Sequence, residues 1–181
     1  MTCIVGIAKN DTVYIGADSS SSVGNTMRTS LLPKVFEVGD FLIGYTWSFR
    51  MGQILQHHLT VPRQKDGVSD DAYMVKVFAE NVRSLFKEHG ISKIENNLES
   101  SGEFLVGYHG TIYCVCSDFQ VNHYAENYAA CGSGEDYALG SLGSTEKMRD
   151  VDHRIELALT VAARFSPNVR GPFMVKSKSW S

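Results

Sequence analysis

A threonine directly follows the initiator methionine. Loss of Met1 leaves Thr2 with a free α-amine and a side-chain hydroxyl on the same residue. Those two groups are a nucleophile and its own base, and an N-terminal amine is one of the known activators of a weak hydroxyl. An α-amine has an unperturbed pKa of about 7.7–8.0, so part of it is neutral at physiological pH without help from burial. The chemistry expected of such an end group is attack on a carbonyl carbon and acyl transfer. Cys3 is the alternative, since cleavage one residue later makes a thiol the N-terminal nucleophile. Methionine removal alone exposes Thr2, and strand alternation puts Cys3 beside Val5 in the core.

Other reactive residue types are arranged less productively. Cys3, Cys114, Cys116 and Cys131 have neither CxxC spacing nor histidines at ligand spacing, so no metal site is expected. Cys114 and Cys116 share one face of an apolar strand, as reduced, buried thiols of a cytoplasmic protein. His57 and His58 are adjacent and do not face each other on a helix, which predicts a solvent-facing pair. Tyr108, Tyr113, Phe119, Tyr124 and Tyr128 read as sheet packing. With a net charge of −3 and a basic stretch only as long as Lys176-Ser177-Lys178, no nucleic-acid partner is expected. No signal peptide and no run of about 18 apolar residues is found, so no membrane span is expected. A GxxxxGK[ST] motif is absent, and no cofactor is expected.

The elements that must position Thr2 come in the order strands, helices, strands, helices. Residues Cys3–Ala8 and Thr12–Ala17 read as β-branched strands joined at Lys9-Asn10-Asp11. Lys34–Val38 and Phe41–Thr46 form a second hairpin turned at Gly39-Asp40. Ser48–Leu59 and Asp70–His89 have apolar residues at helical spacing, the latter capped by Ser69 or Asp70 and ended by Gly90. A polar, mobile segment is expected over Ser92–Gly102. Strands return at Glu103–Tyr108, Thr111–Ser117, Gln120–Tyr124 and Tyr128–Cys131. Helices follow at Glu135–Leu142 and Asp152–Phe165, the second stopped by Pro167, with Pro172–Lys176 as a last strand. One domain over residues 1–181 suits this length. Strand clusters separated by helix pairs predict α+β rather than alternating βαβ units. Strands apolar at nearly every position have both faces covered, which two stacked sheets with helices outside each would provide.

The segments TCIVGIAKNDTVYIGADSSSSVGNT, LLPKVF and CGSGEDYALGSL resemble the proteasome β-subunit and the HslV-type peptidase, both N-terminal-nucleophile (Ntn) hydrolases. Four signals carry the resemblance: a threonine opening the mature chain, Gly16-Ala17-Asp18 closing the second strand, Lys34 opening a Lys-Val-Phe strand, and Gly132-Ser133-Gly134 before a helix. The resemblance implies a four-layer αββα sandwich of two stacked, mainly antiparallel sheets. It implies Thr2 as nucleophile, Lys34 as the cation beside it, Asp18 as the partner that aims Lys34, and Ser133 in the hydrogen-bond network of the amine. It places the oxyanion-hole amide on Ser48, where the family has a glycine, and it puts Ser21, Leu32, Thr46 and Arg50 around the pocket for the residue before the cut. Two departures stand out. Trp47 and Phe49 crowd a turn built from small residues in the family, and the family's aspartate after the last long helix is missing from Arg164–Gly171, where Ser166 or Asn168 are the polar residues available.

Two classes of function follow. The first is a threonine peptidase acting on peptides or unfolded proteins inside a homo-oligomeric ring or stacked rings, with any unfolding done by a separate ATPase. Its subunit contacts would come from apolar faces of the Ser48–Leu59 and Asp70–His89 helices, for which core packing is the alternative. The second is a proteasome-like scaffold without proteolysis, which the odd turn and the missing acid favour.

Overall fold

A computed structural model of the protein describes residues 2–96 and 98–180. Strands β1 (Cys3–Lys9) and β2 (Thr12–Ala17) form the first hairpin. Its two-residue turn puts Asn10 and Asp11 at φ 52° and 55°, the turn geometry whose twist matches paired strands. A short hairpin, β3 (Ser20–Val23) and β4 (Thr26–Thr29), follows, then β5 (Val35–Val38) and β6 (Phe41–Tyr45). Helix α1 (Phe49–His58) is capped by the Ser48 hydroxyl, which accepts from the Met51 amide. Helix α2 (Asp70–Tyr73), capped by Ser69, runs through a π-helical turn (Met74–Phe78) into α3 (Ala79–Glu88). Then come β7 (Lys93–Glu95), β8 (Leu98–Ser100), β9 (Phe104–Tyr108), β10 (Thr111–Val115), β11 (Val121–Asn122) and β12 (Tyr128–Gly132). Helices α4 (Glu135–Ser144) and α5 (Val151–Phe165) and strand β13 (Met174–Ser179) complete the described chain.

Nine of the described strands make two antiparallel sheets, ordered β12-β1-β2-β13 and β11-β10-β9-β6-β5, and β3-β4 and β7-β8 pair by themselves. Strand alternation sorts their side chains into three buried layers. Cys3, Val5 and Ile7 face α4 and α5, packing with Ala138, Leu142, Ile155 and Leu159. Ile4 points the other way, between the sheets, with Ile15, Leu42, Leu105 and Ile112. Ile43, Phe104, Val106 and Tyr113 face α1 and α3, with Met51, Ile54, Phe78 and Phe86. Helix, sheet, sheet and helix therefore stack in four layers, the α+β αββα sandwich expected from strands apolar on both faces. Gly44 shows how tightly the sheets meet: a Cβ there would lie 2.7 Å from both Ile4 Cγ2 and Ile15 Cγ2.

Three expectations need correction. The stretch 92–102 pairs Lys93 with Ser100 in a hairpin, tied to α3 by Arg83 Nε donating to Glu99 at 2.7 Å. Its few apolar residues hid the strands. The β3–β4 hairpin was equally illegible in a run of serines. The faces expected to serve subunit contacts are core: Met51, Ile54, Leu55, Met74, Phe78, Val82 and Phe86 are fully buried under the second sheet. The last strand also runs later than expected, pairing with β2 from Met174 to Ser179. His57 and His58 are exposed, as their spacing predicts.

Candidate active site

Thr2 precedes β1, and the register of β1 with β2 and β12 decides what surrounds it. Ile4 pairs with Ala17, which brings Asp18 to the start of β1. Cys3 pairs with Gly132, which brings the Gly132-Ser133-Gly134 turn to the other side. Lys34 arrives from the second sheet at the head of β5, where its carbonyl accepts from the Tyr45 amide at 3.1 Å. Thr2 and Lys34 thus meet across the mouth of the two-sheet sandwich.

The contact between them is direct. Lys34 Nζ donates to Thr2 Oγ1 at 2.9 Å and to Asp18 Oδ1 at 3.0 Å. The side chains of Lys34 and Asp18 are 2% and 0% exposed, and Thr2 is 5% exposed. Burial pushes the Lys34 ammonium below the ordinary lysine range, while the Asp18 charge opposes that shift. Asp18 is satisfied on every side: its carboxylate accepts from the amides of Cys3 at 3.1 Å, Ser20 at 2.9 Å and Arg170 at 3.4 Å, and from the Ser20 hydroxyl. A buried carboxylate with that many donors is a fixed anchor for the lysine.

Several of the sequence-predicted residues meet here. Ser133 Oγ lies 3.4 Å from the Thr2 carbonyl oxygen, to which it donates. A cavity of about 50 Å³ is lined by Thr2, Ser20, Ser22, Lys34, Tyr45, Thr46, Trp47, Ser48 and Phe49. Of the expected pocket residues only Thr46 lines it. Strand alternation turns Ser20 and Ser22 toward the cavity and Ser21 away, while Leu32 and Arg50 are exposed outside it. Cys3 is fully buried against the α4–α5 layer, and its thiol is pushed up to about 12, chiefly by burial, which disfavours the thiolate that a nucleophile needs. The expected loss of Met1 lies outside the described residues. A larger hollow of about 500 Å³, bounded by Lys9, Tyr128 and Arg154, sits at the far end of β1 and has no serine, threonine or cysteine in its lining.

Sequence reasoning missed Glu103, Ser20 and the backbone of the loop after α5, and it put Phe49 at the cleft without its contact to Lys34. Phe49 sets its ring 5.7 Å from Lys34 Nζ, a cation–π contact. Glu103 accepts from the Gly132 amide at 2.8 Å through its side chain and from Thr46 Oγ1 at 2.7 Å through its carbonyl. The loop after α5 reaches the site by backbone alone. The Arg170 amide bonds Asp18, and the Asn168 carbonyl lies 2.7 Å from Ser20 Oγ. Ser20 was visible only through strand phase, and main-chain donors have no residue signature.

Ser48 departs from its expected role. Its amide donates to the Thr46 carbonyl at 2.9 Å, across Trp47 at φ 66°. This is a γ-turn with positive φ, a rare and strained conformation. A bulky residue held there costs about 1–3 kcal/mol. The amide that would face an oxyanion is engaged within the turn.

Stacked antiparallel sheets between helix pairs, in four layers, give this chain the fold of the proteasome β-subunit and HslV-like proteins. The structure of BPH from Thiobacillus denitrificans in complex with epoxomicin superposes with a TM-score of 0.81 at 23% identity, covering 99% of this chain and 100% of that one. A second structure of BPH from the same organism gives 0.82 at 24% identity, over 99% of each chain. Eukaryotic HslV from Trypanosoma brucei gives 0.70 at 16% identity, over 99% of this chain and 100% of that one. At these identities the likeness establishes the fold. No family model and no curated protein matches the chain.

Proposed function

We propose that the protein is a threonine-type endopeptidase whose nucleophile is Thr2 after removal of Met1. The observation that carries this reading is the 2.9 Å hydrogen bond from a buried lysine to the Thr2 hydroxyl oxygen. An ammonium donates and cannot accept, so the hydroxyl proton must leave in another direction. The α-amine of the same residue is the base within reach once Met1 is gone. The Lys34 charge favours the neutral, proton-accepting form of that amine and stabilises negative charge growing on Oγ1. The amine then returns the proton to the leaving nitrogen, and water resolves the acyl ester by the reverse sequence. Copies of the chain would enclose these sites in a cytoplasmic ring that admits peptides or unfolded chains. Folded substrates would need a separate ATPase, because this chain has no phosphate-binding loop. Among the described residues no helix is long and apolar enough to cross a membrane.

Intact mass after exposure to epoxomicin tests the reading, the compound being bound by one of the similar structures. The expected product has lost Met1 and gained one inhibitor, and Thr2→Ala gains none. Retention of Met1 in all molecules, or an adduct that survives Thr2→Ala, refutes the assignment. The engaged Ser48 amide favours a second reading, a scaffold that keeps the fold without proteolysis, for which no adduct forms at any concentration.

The pH dependence carries a sign. The lysine must stay charged, so activity is lost as pH rises through its folded pKa. That pKa is lowered, so the alkaline limb of the labelling rate is expected below the ordinary lysine value of 10.5. Asp18 opposes the lowering, and Asp18→Asn should move the limb to still lower pH. A limb that stays in place or moves upward in that variant contradicts the assigned role of Lys34.

A further inference from the structure

Acyl transfer to Thr2 needs N–H donors aimed at the oxygen that becomes negative. The turn at residues 46–48 borders the cavity beside Thr2, and two of its three amides are already engaged. The Thr46 amide donates to the Glu103 carbonyl at 3.2 Å, and the Ser48 amide donates to the Thr46 carbonyl at 2.9 Å. A residue as large as tryptophan keeps a positive φ only where its surroundings over-determine it, and here they do. A Cβ built on Gly102 would lie 2.7 Å from Trp47 Cβ and 3.0 Å from its ring Cε3, so glycine is what lets the Trp47 side chain approach the chain this closely. Lys93 Nζ sits 5.9 Å from the indole ring centre. The Glu103 carbonyl takes both the amide and the hydroxyl of Thr46. All three restraints come from one continuous stretch, residues 93–103.

We infer that Trp47 is a positioning residue that holds the Ser48 amide in the γ-turn, so that the oxyanion site forms only when the 46–48 turn opens. The inference rests on the peptidase reading of Thr2. Substrate binding must exchange the Thr46 carbonyl for the oxyanion as partner of the Ser48 amide, and β7 and the segment after β8, through Lys93 and Gly102, set how readily that happens.

Three substitutions test it. Trp47→Ala removes the clamp but keeps the Cβ penalty for positive φ, so the turn opens and the maximal epoxomicin labelling rate rises about tenfold. The inhibitor concentration at half-maximal rate stays unchanged. Trp47→Gly removes both the clamp and the penalty, so its gain is smaller. Trp47→Phe keeps a ring against Gly102 and stays near the wild-type rate. A crystal structure of Trp47→Ala gives a readout independent of catalysis, in which the Ser48 nitrogen has left the Thr46 carbonyl. Trp47→Ala labelling no faster than wild type overturns the inference, as does a Trp47→Ala structure that retains the bond. If neither wild type nor variants label, the Thr2 reading falls, and the position of the Ser48 amide in the Trp47→Ala structure still decides the role of Trp47.

Discussion

Lys34→Met is expected to slow acylation of Thr2 by about 10²-fold or more, the effect of removing one fixed donor aimed at a reacting oxygen. Methionine keeps an unbranched side chain, one atom shorter, and loses the charge. The substitution also strands Asp18, whose side chain is 0% exposed and has Lys34 as its ionic partner. Breaking a buried pair from one side costs about 3–5 kcal/mol of stability. Amides of Cys3, Ser20 and Arg170 still donate to the carboxylate, which places the expected loss toward the lower end of that range. The two effects separate in the double variant Asp18→Asn/Lys34→Met. A neutral side chain at position 18 needs no counter-charge, so stability in urea unfolding should recover. Labelling by epoxomicin should not, because the donor at 2.9 Å from Oγ1 is still missing. Recovery of both in the double variant would show that Lys34 acts only through the fold.

The layering was legible because burial on two faces leaves a plain mark. Strands such as Phe41–Tyr45 and Phe104–Tyr108 are buried at every position, and only a second sheet on one side and helices on the other can do that. Thr2 stood out by its place behind Met1, and Asp18 and Lys34 only through the resemblance of their segments; strand register is what brings the three side chains together. What escaped follows from weaker physics. In Ser20–Val23 the side chains carry almost no hydrophobic contrast, so nothing in the sequence says that Ser20 and Ser22 rather than Ser21 face the cavity. The loop after α5 has no acidic side chain to mark it, and it reaches Asp18 and Ser20 through the Arg170 amide and the Asn168 carbonyl, groups that nearly every residue possesses. The sequence did show that Trp47 and Phe49 would crowd the cleft, and both line it. It did not show the direction of the Ser48 amide, because that depends on a dihedral that tryptophan ordinarily avoids.

Gly132→Ala should abolish labelling through geometry alone. Gly132 ends β12 opposite Cys3, at φ 94°, a conformation that suits glycine and strains alanine. Its added Cβ would lie 2.2 Å from the Thr2 carbonyl oxygen and 3.1 Å from Thr46 Cγ2. The first of these is a backbone atom and cannot swing aside. The chain at Thr2 is also pinned one residue later, where the Cys3 amide bonds Asp18 and the Cys3 carbonyl accepts from the Asp18 amide at 3.3 Å. Relief therefore comes by displacing Thr2 from Lys34 or by rotating Gly132 away from Glu103, and both loosen the site. A shift of about 1 Å in a reacting group can cost 10²-fold in rate, so labelling should fall by at least that much while circular dichroism retains the folded signal. Gly140→Ala is the matched control. It lies in α4 with open space where its Cβ would go, and alanine in a helix interior adds about 0.5–1 kcal/mol of stability over glycine. Its labelling rate should equal wild type. Equal rates for Gly132→Ala and Gly140→Ala would mean that the position of the Thr2 carbonyl is irrelevant to the chemistry, and a nucleophile held at the mouth of the two-sheet sandwich could not be the source of it.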